Sequence, residues 1–179
     1  MKWTDMYCEI HNKEQHMPKS FSPVADERSR ILILGTMPGA ESRKAGFYYA
    51  HPRNRFWQII ATICDRPLPQ SVDDKTRLIL DNHLALWDVL ESCEITNSAD
   101  SSIRNPVYND ISAFISGRPI EKILCNGAKA YEFCKKLELP LRVLRMPSTS
   151  PANAAWGLER LRAVWMSQLT ESDADAELN

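Results

Sequence analysis

Two stretches of this chain carry residue types at spacings with chemical use. The first is Gly35-Thr36-Met37-Pro38-Gly39, directly after the apolar run 31–34. The second is Gly46-Phe47-Tyr48-Tyr49-Ala50-His51-Pro52-Arg53-Asn54-Arg55-Phe56-Trp57. A glycine-bounded turn after a buried strand presents backbone N–H groups at the strand end, where they donate to an anion or a carbonyl. Tyr48 and Tyr49 offer flat stacking surfaces, and Asn54 stands where the next helix begins. The same residues have plainer uses: asparagine is a favoured helix cap, and paired tyrosines fill cores. Two further polar turns follow short apolar runs, Asn126-Gly127 and Met146-Pro147-Ser148-Thr149-Ser150-Pro151-Ala152-Asn153. Asn126 carries an amide able to read a flat polar edge, or serves only as a left-handed turn residue before Gly127.

Several other chemistries are excluded by missing patterns. The chain has no Gly-x-x-x-x-Gly-Lys-[Ser/Thr] phosphate loop, no Gly-x-Gly-x-x-Gly fingerprint and no Gly-x-Ser-x-Gly elbow. It also lacks the His-x-Glu and Pro-Cys-x-x-Cys pair of zinc deaminases. Five cysteines with no Cys-x-x-Cys argue against a disulfide scaffold, a zinc ribbon or an iron–sulfur cluster and read as buried free thiols. No metal site and no cofactor is expected.

The elements that must position these turns alternate between strand and helix. Residues 30–34 form a continuous apolar run that suits a strand buried on both faces. Phe56, Ile59, Ile60 and Ile63 follow helical spacing up to Pro67, and residues 73–82 read as another helix. Residues 84–87 predict a second strand running into a polar loop over 88–104. Asn105-Pro106 reads as a helix cap followed by a first-turn proline, opening a helix to about Ser116. Strands are predicted at 122–125 and 142–145, with a helix through Tyr131, Phe133 and Leu137 between them. Ala154, Leu158, Leu161 and Trp165 mark one face of a final helix. This pattern predicts an α/β fold: a three-layer α/β/α sandwich around a short, mostly parallel four-stranded sheet. In such sheets ligands bind beyond the carboxyl ends of the strands, which is where the turns described above fall.

At 179 residues and 44% hydrophobic content the chain suits one core. We divide it into an arm packed on the domain (1–29), the domain (30–169) and an acidic tail not expected to fold (170–179). The net charge of -1 hides an asymmetry. The tail holds Glu171, Asp173, Asp175 and Glu177, so residues 1–169 set 22 basic against 19 acidic residues, a net +3. No apolar run approaches the roughly 20 residues needed to span a bilayer, and the N-terminus lacks a signal-like stretch, so an intracellular, membrane-free, monomeric protein is expected.

The motifs resemble those of the uracil-DNA glycosylase superfamily. Gly35-Thr36-Met37-Pro38-Gly39 and Ala50-His51-Pro52-Arg53-Asn54-Arg55-Phe56-Trp57 are similar to the Gly-Ile-Asn-Pro-Gly and Asn-x-Phe-Trp segments of its mismatch-specific uracil and thymine branches. They are closer still to the hypoxanthine-DNA glycosylase branch, in which methionine replaces the asparagine of the first motif. Leu86-Trp87-Asp88-Val89-Leu90, Ser98-Ala99-Asp100-Ser101-Ser102-Ile103, Cys125-Asn126-Gly127 and the 146–153 turn follow in that branch's order. The resemblance spans residues 31 to 165.

It implies a monofunctional glycosylase of base excision repair that acts on DNA containing deaminated bases, hypoxanthine first and uracil second. Asn54 is then the catalytic residue that orients water, because the Met37 thioether cannot. Gly35, Thr36, Met37, Pro38, Gly39, Tyr49 and Asn126 are expected to bind the base. Arg43, Lys44, Arg53, Ser148, Thr149, Ser150, Pro151, Ala152 and Asn153 are expected to contact DNA, with Ala152 as a small wedge and Arg55 as a further candidate for phosphate. The 148–151 loop has Ser-Thr-Ser-Pro where the superfamily commonly has His-Pro-Ser-Pro, so no histidine from that loop stabilises the leaving base. The competing expectation is a noncatalytic DNA- or nucleotide-binding module on the same fold, which Met37 makes serious. A serine hydrolase using Ser148 or Ser150 with His51 lacks the required turn.

Overall fold

A computed structural model describes residues 18–95 and 103–170. The expectations for the first 17 residues of the arm, including the cysteine at position 8, for residues 98–102 and for the tail beyond Thr170 lie outside the described residues. Strand β1 (Ile31–Gly35) is central, and Leu32, Ile33 and Leu34 are all fully buried. Successive strand side chains point to opposite faces. Leu32 and Leu34 accordingly join one apolar cluster, and Ile33 joins the other.

Strands β2 (Leu84–Asp88), β5 (Lys122–Asn126) and β6 (Arg142–Met146) complete a parallel sheet in the order β2-β1-β5-β6, with Gly35 registered against Asp88. On one face lie helices α4 (Ile111–Ser116) and α5 (Ala128–Lys135), contributing Ile111, Phe114, Phe133 and Cys134. On the other lie α2 (Phe56–Ile63), α3 (Val72–Leu80) and α6 (Leu158–Thr170), contributing Phe56, Ile60, Ile79, Leu161 and Trp165. This is the expected three-layer sandwich.

Three expectations need correction. Asn105 and Pro106 do not start a helix. They belong to β4 (Ile103–Tyr108), which pairs antiparallel with β3 (Leu90–Ile95) inside the stretch read as a polar loop. Asp110 is the true cap, its side chain accepting from the Ala113 N–H at 2.9 Å. Ala154 is exposed in a turn, because the final helix begins only at Leu158. A short helix, α1 (Ala40–Ala45), follows the first motif and buries only Ser42. The described part of the arm runs along β2, where Val24 and Leu86 exchange two backbone hydrogen bonds of 2.9 Å. Cys93, Cys125 and Cys134 are buried and Cys64 is half-buried, and none of the four is in a disulfide.

Candidate active site

In a parallel sheet every strand ends on the same edge. Gly35, Asp88 and Asn126, the last residues of β1, β2 and β5, therefore surround one cavity of about 660 Å³ together with the 36–54 and 148–151 segments. That volume lies within the ordinary range for a small-molecule pocket. Every residue expected to bind the base lines it, as does Asn54.

Asn54 serves local structure and faces the cavity at once. Its Oδ1 accepts from the Phe56 N–H at 3.0 Å at the entry to α2. That bond fixes which end of the amide is oxygen and leaves one of its two lone pairs for another donor. The turn is held from behind: the Asn54 N–H donates to the His51 carbonyl at 2.8 Å, and the Arg53 N–H donates to His51 Nδ1 at 3.1 Å. His51 thus orients the loop.

The two tyrosines part company. The Tyr48 hydroxyl donates to the Ser22 carbonyl at 2.9 Å and its ring meets Phe21 edge-on, which makes it a core residue that anchors the arm. Tyr49 adopts a left-handed backbone (φ 52°) and stacks on Phe56 with ring centroids 4.0 Å apart. Its hydroxyl is buried next to the Asn126 amide, and burial pushes its ionisation well above the usual tyrosine range.

Asn126 is held by the last motif. Its Nδ2 donates to Thr149 Oγ1 at 2.9 Å, and its Oδ1 accepts from the Thr149 N–H at 3.0 Å. The amide lines the cavity in a fixed orientation, with one N–H and one lone pair left over. At Gly127 (φ 107°) a Cβ would come within 3.1 Å of the Ser148 side chain, so glycine lets the two turns touch. Thr149 is fully buried by this arrangement. The expected DNA contact by Thr149 is therefore corrected: its hydroxyl faces Asn126, not solvent.

Arg55 also departs from expectation. Its guanidinium donates to the carbonyls of Thr149, Ser150, Asn153 and Trp156, with the Ser150 bond at 2.7 Å and the Asn153 bond at 3.1 Å. Its backbone N–H also donates to the Thr149 carbonyl. Arg55 is thus a clamp on the 149–156 turn and has no fork left for phosphate. Inside that turn, Ser148 Oγ accepts from the Ser150 N–H, Ser150 Oγ from the Ala152 N–H, and the Asn153 amide donates to the Ser148 carbonyl. Ala152 is exposed at the tip. Arg43 donates to the Pro38 carbonyl at 2.7 Å, bracing the first motif, while Lys44 and Arg53 are exposed and form no ion pair among the described residues. Lys129 is engaged with Glu132 at 3.2 Å and does not line the cavity.

Sequence reasoning missed Asp88. It is 3% exposed, desolvation raises its carboxyl pKa to about 7, and its Oδ2 has no partner. A Cβ on Gly35 would sit 2.4 Å from Asp88 Oδ1 and 3.3 Å from the Tyr49 hydroxyl, so the first glycine of the motif makes room for this carboxyl. The available signal was an aspartate closing an otherwise apolar strand at the binding edge. Among the described residues no cluster of His, Cys, Asp or Glu is suited to hold a metal ion, and no helix is long and apolar enough to cross a membrane.

The sequence model of the uracil DNA glycosylase superfamily matches residues 22–169. The chain belongs to that superfamily. It is 32% identical over 145 residues to a hypoxanthine DNA glycosylase of Methanosarcina acetivorans, covering 79% of this chain and 92% of that one. It is 35% identical over 118 residues to a hypoxanthine DNA glycosylase of Methanosarcina barkeri, covering 64% and 74%. Its fold matches the solution NMR structure of a Methanosarcina acetivorans protein assigned to the uracil DNA glycosylases, with a TM-score of 0.70 and 29% identity over 87% of this chain and 99% of that one. Superfamily membership carries a DNA glycosylase role, and the first motif of this chain has Met37 and neither a carboxylate nor a side-chain amide.

Proposed function

We propose that the protein is a monofunctional DNA glycosylase that hydrolyses the N-glycosidic bond of deaminated bases, with hypoxanthine preferred and uracil second. The observation that carries this reading is the presence of Asn54 on the wall of a cavity of about 660 Å³, roomy enough to admit a purine, at the sheet's binding edge. Breaking the bond sends its electron pair to the base nitrogen and leaves an oxocarbenium-like sugar. A carboxamide is a poor base, yet the free lone pair of Asn54 Oδ1 can hold a water against that cation. Water then adds to C1′ and gives up its proton to solvent. The N–H groups of the first-motif turn and of Asn126 supply donors toward the departing base, where one well-placed donor is worth on the order of 3 kcal/mol in an acyl-transfer site. Tyr49 supplies a stacking face worth roughly 1–3 kcal/mol. The engagement of Lys129 with Glu132 supports hydrolysis over Schiff-base chemistry.

The test is base release from duplexes carrying one deoxyinosine, deoxyuridine or deoxyxanthosine, read as alkali-dependent strand breaks. Breaks at deoxyinosine are expected first. Met37 favours the second reading, a noncatalytic module, and retention of every duplex without breaks would establish it.

Arg43, Lys44 and Arg53 form the basic rim in this reading, with Ser148 and Ser150 beside the Ala152 tip. Each phosphate neutralised contributes a slope of about −0.9 to the log–log dependence of affinity on salt. A slope of about −2 to −3 is expected for deoxyinosine duplex binding in titrations from low to moderate salt. A flat response would remove the rim from the interface.

A further inference from the structure

A second cavity, of about 600 Å³, lies behind the turn that walls the first. Ser148 and Ser150 line both, so the partition between them is one turn thick. The outer cavity is bounded by Arg145 at the end of β6, by Trp156 just before α6 and by Val164 within that helix. The reaction scheme above makes no use of it.

Trp156 differs from the other tryptophans among the described residues. Trp57, Trp87 and Trp165 each donate the indole N–H to a backbone carbonyl at 3.1 Å, as buried indoles usually do. Trp156 is half-buried, and its indole N–H meets no acceptor among the described residues. The residue is nonetheless held in place. Its carbonyl accepts from Arg55, its backbone N–H donates to the Asn153 carbonyl at 3.3 Å, and the Arg160 guanidinium lies 4.0 Å from the ring centroid. Arg160 does not line the cavity, so it backs the indole and leaves the cavity side to a ligand. Arg145 is exposed on the rim and forms no ion pair among the described residues.

We propose that this cavity is a second nucleobase subsite, which takes the unpaired base next to the lesion and stacks it on Trp156. The inference rests on the glycosylase reading and extends it to a part of the strand that is not cleaved. When the damaged base enters the first cavity, its neighbour loses a stacking partner and keeps a bare apolar face. Ala152, exposed at the tip of the turn and lining the same cavity, offers one methyl group, too little to cover that face. An indole backed by a guanidinium covers it whatever the base, since every base has a π-face. The neighbour is one nucleotide away along the strand, and the outer cavity is one turn away along the protein, so two successive nucleotides straddle Ser148 and Ser150. Arg145 brings a cation to the phosphodiester that joins them. In a duplex the neighbour is held by its own pairing, so the subsite acts most on single strands.

The experiment compares three single-stranded deoxyinosine oligonucleotides: one intact, one with the 5′ neighbour replaced by an alkali-stable tetrahydrofuran abasic unit, and one with the 3′ neighbour so replaced. Fluorescence anisotropy gives the affinity and single-turnover base release gives the half-saturating concentration and the plateau rate. Removing the neighbour on one side is expected to weaken wild-type binding about tenfold and to leave the plateau rate within twofold. Trp156→Leu, which keeps apolar bulk without a flat ring, is expected to bind all three strands alike, and Trp156→Phe to recover part of the distinction. Arg145→Ala is expected to lower the salt slope by about 0.7, one phosphate of a single strand. Circular dichroism melts identify variants that fail to fold, and the three strands on wild type need no variant. A wild type indifferent to both replacements, or a folded Trp156→Leu that keeps the full distinction, overturns the subsite and leaves the glycosylase reading standing. So does a wild type indifferent to both yet sensitive to loss of the base opposite deoxyinosine in a duplex, which assigns the cavity to the other strand. A wild type that releases no base from any strand overturns the glycosylase reading, and its affinities for the three strands still decide the subsite.

Discussion

Asn54→Ala is expected to reduce base release by about a hundred- to a thousandfold, the range typical for losing a group that positions the reacting partner. The same change removes the acceptor of the Phe56 N–H at the start of α2, at a cost of about 1 kcal/mol or some 2–4 °C in melting temperature. A drop of that size leaves the protein folded at assay temperature, so the activity loss reports chemistry. Asn54→Asp separates the two roles, because asparagine and aspartate cap helices equally well. It is expected to melt with the wild type. Single-turnover kinetics beside thermal melts make the comparison, and an alanine variant with near-normal turnover would return Asn54 to the status of a helix cap.

Arg55→Ala is the second large effect, and it falls first on stability. The guanidinium answers four carbonyls of one turn. Hydrogen bonds to a charged group are worth about 1.5–3 kcal/mol each in isolation and are far from additive, so a loss of about 3–5 kcal/mol is expected in denaturant melts. Base release should fall with it, because the same turn carries Thr149, which holds the Asn126 amide. Arg55→Lys is not expected to rescue either property, since one ammonium cannot span four acceptors that a planar fork reaches together. Hydrogen exchange across residues 148–156 locates the damage. A melt within 1 kcal/mol of wild type would show that the turn holds itself.

The central sheet was legible because buried parallel strands write themselves as unbroken apolar runs. The stretches at 31–34, 84–86 and 123–125 do this, and each was found to within a residue or two. The antiparallel pair was hidden because Asn105-Pro106 imitates a helix start, while the true cap, Asp110, lies five residues beyond Asn105. Helix α1 was invisible because a six-residue helix that buries only Ser42 has no apolar stripe to display. Within the site, glycines and amides could be read from their turns. Arg55 and Asp88 could not. A basic residue near a proposed DNA site resembles a phosphate ligand until the carbonyls around it are known, and a carboxyl's ionisation depends on burial that only tertiary packing supplies.

The reach of Arg55 has a temporal consequence. It ties the entrance of an early helix to carbonyls 94 to 101 residues further along the chain. A nascent polypeptide that has already closed β1 against β2 still lacks the far wall of its pocket. The wall of the cavity that residues 148–151 supply therefore closes late in synthesis, once the turn that Arg55 clamps has emerged.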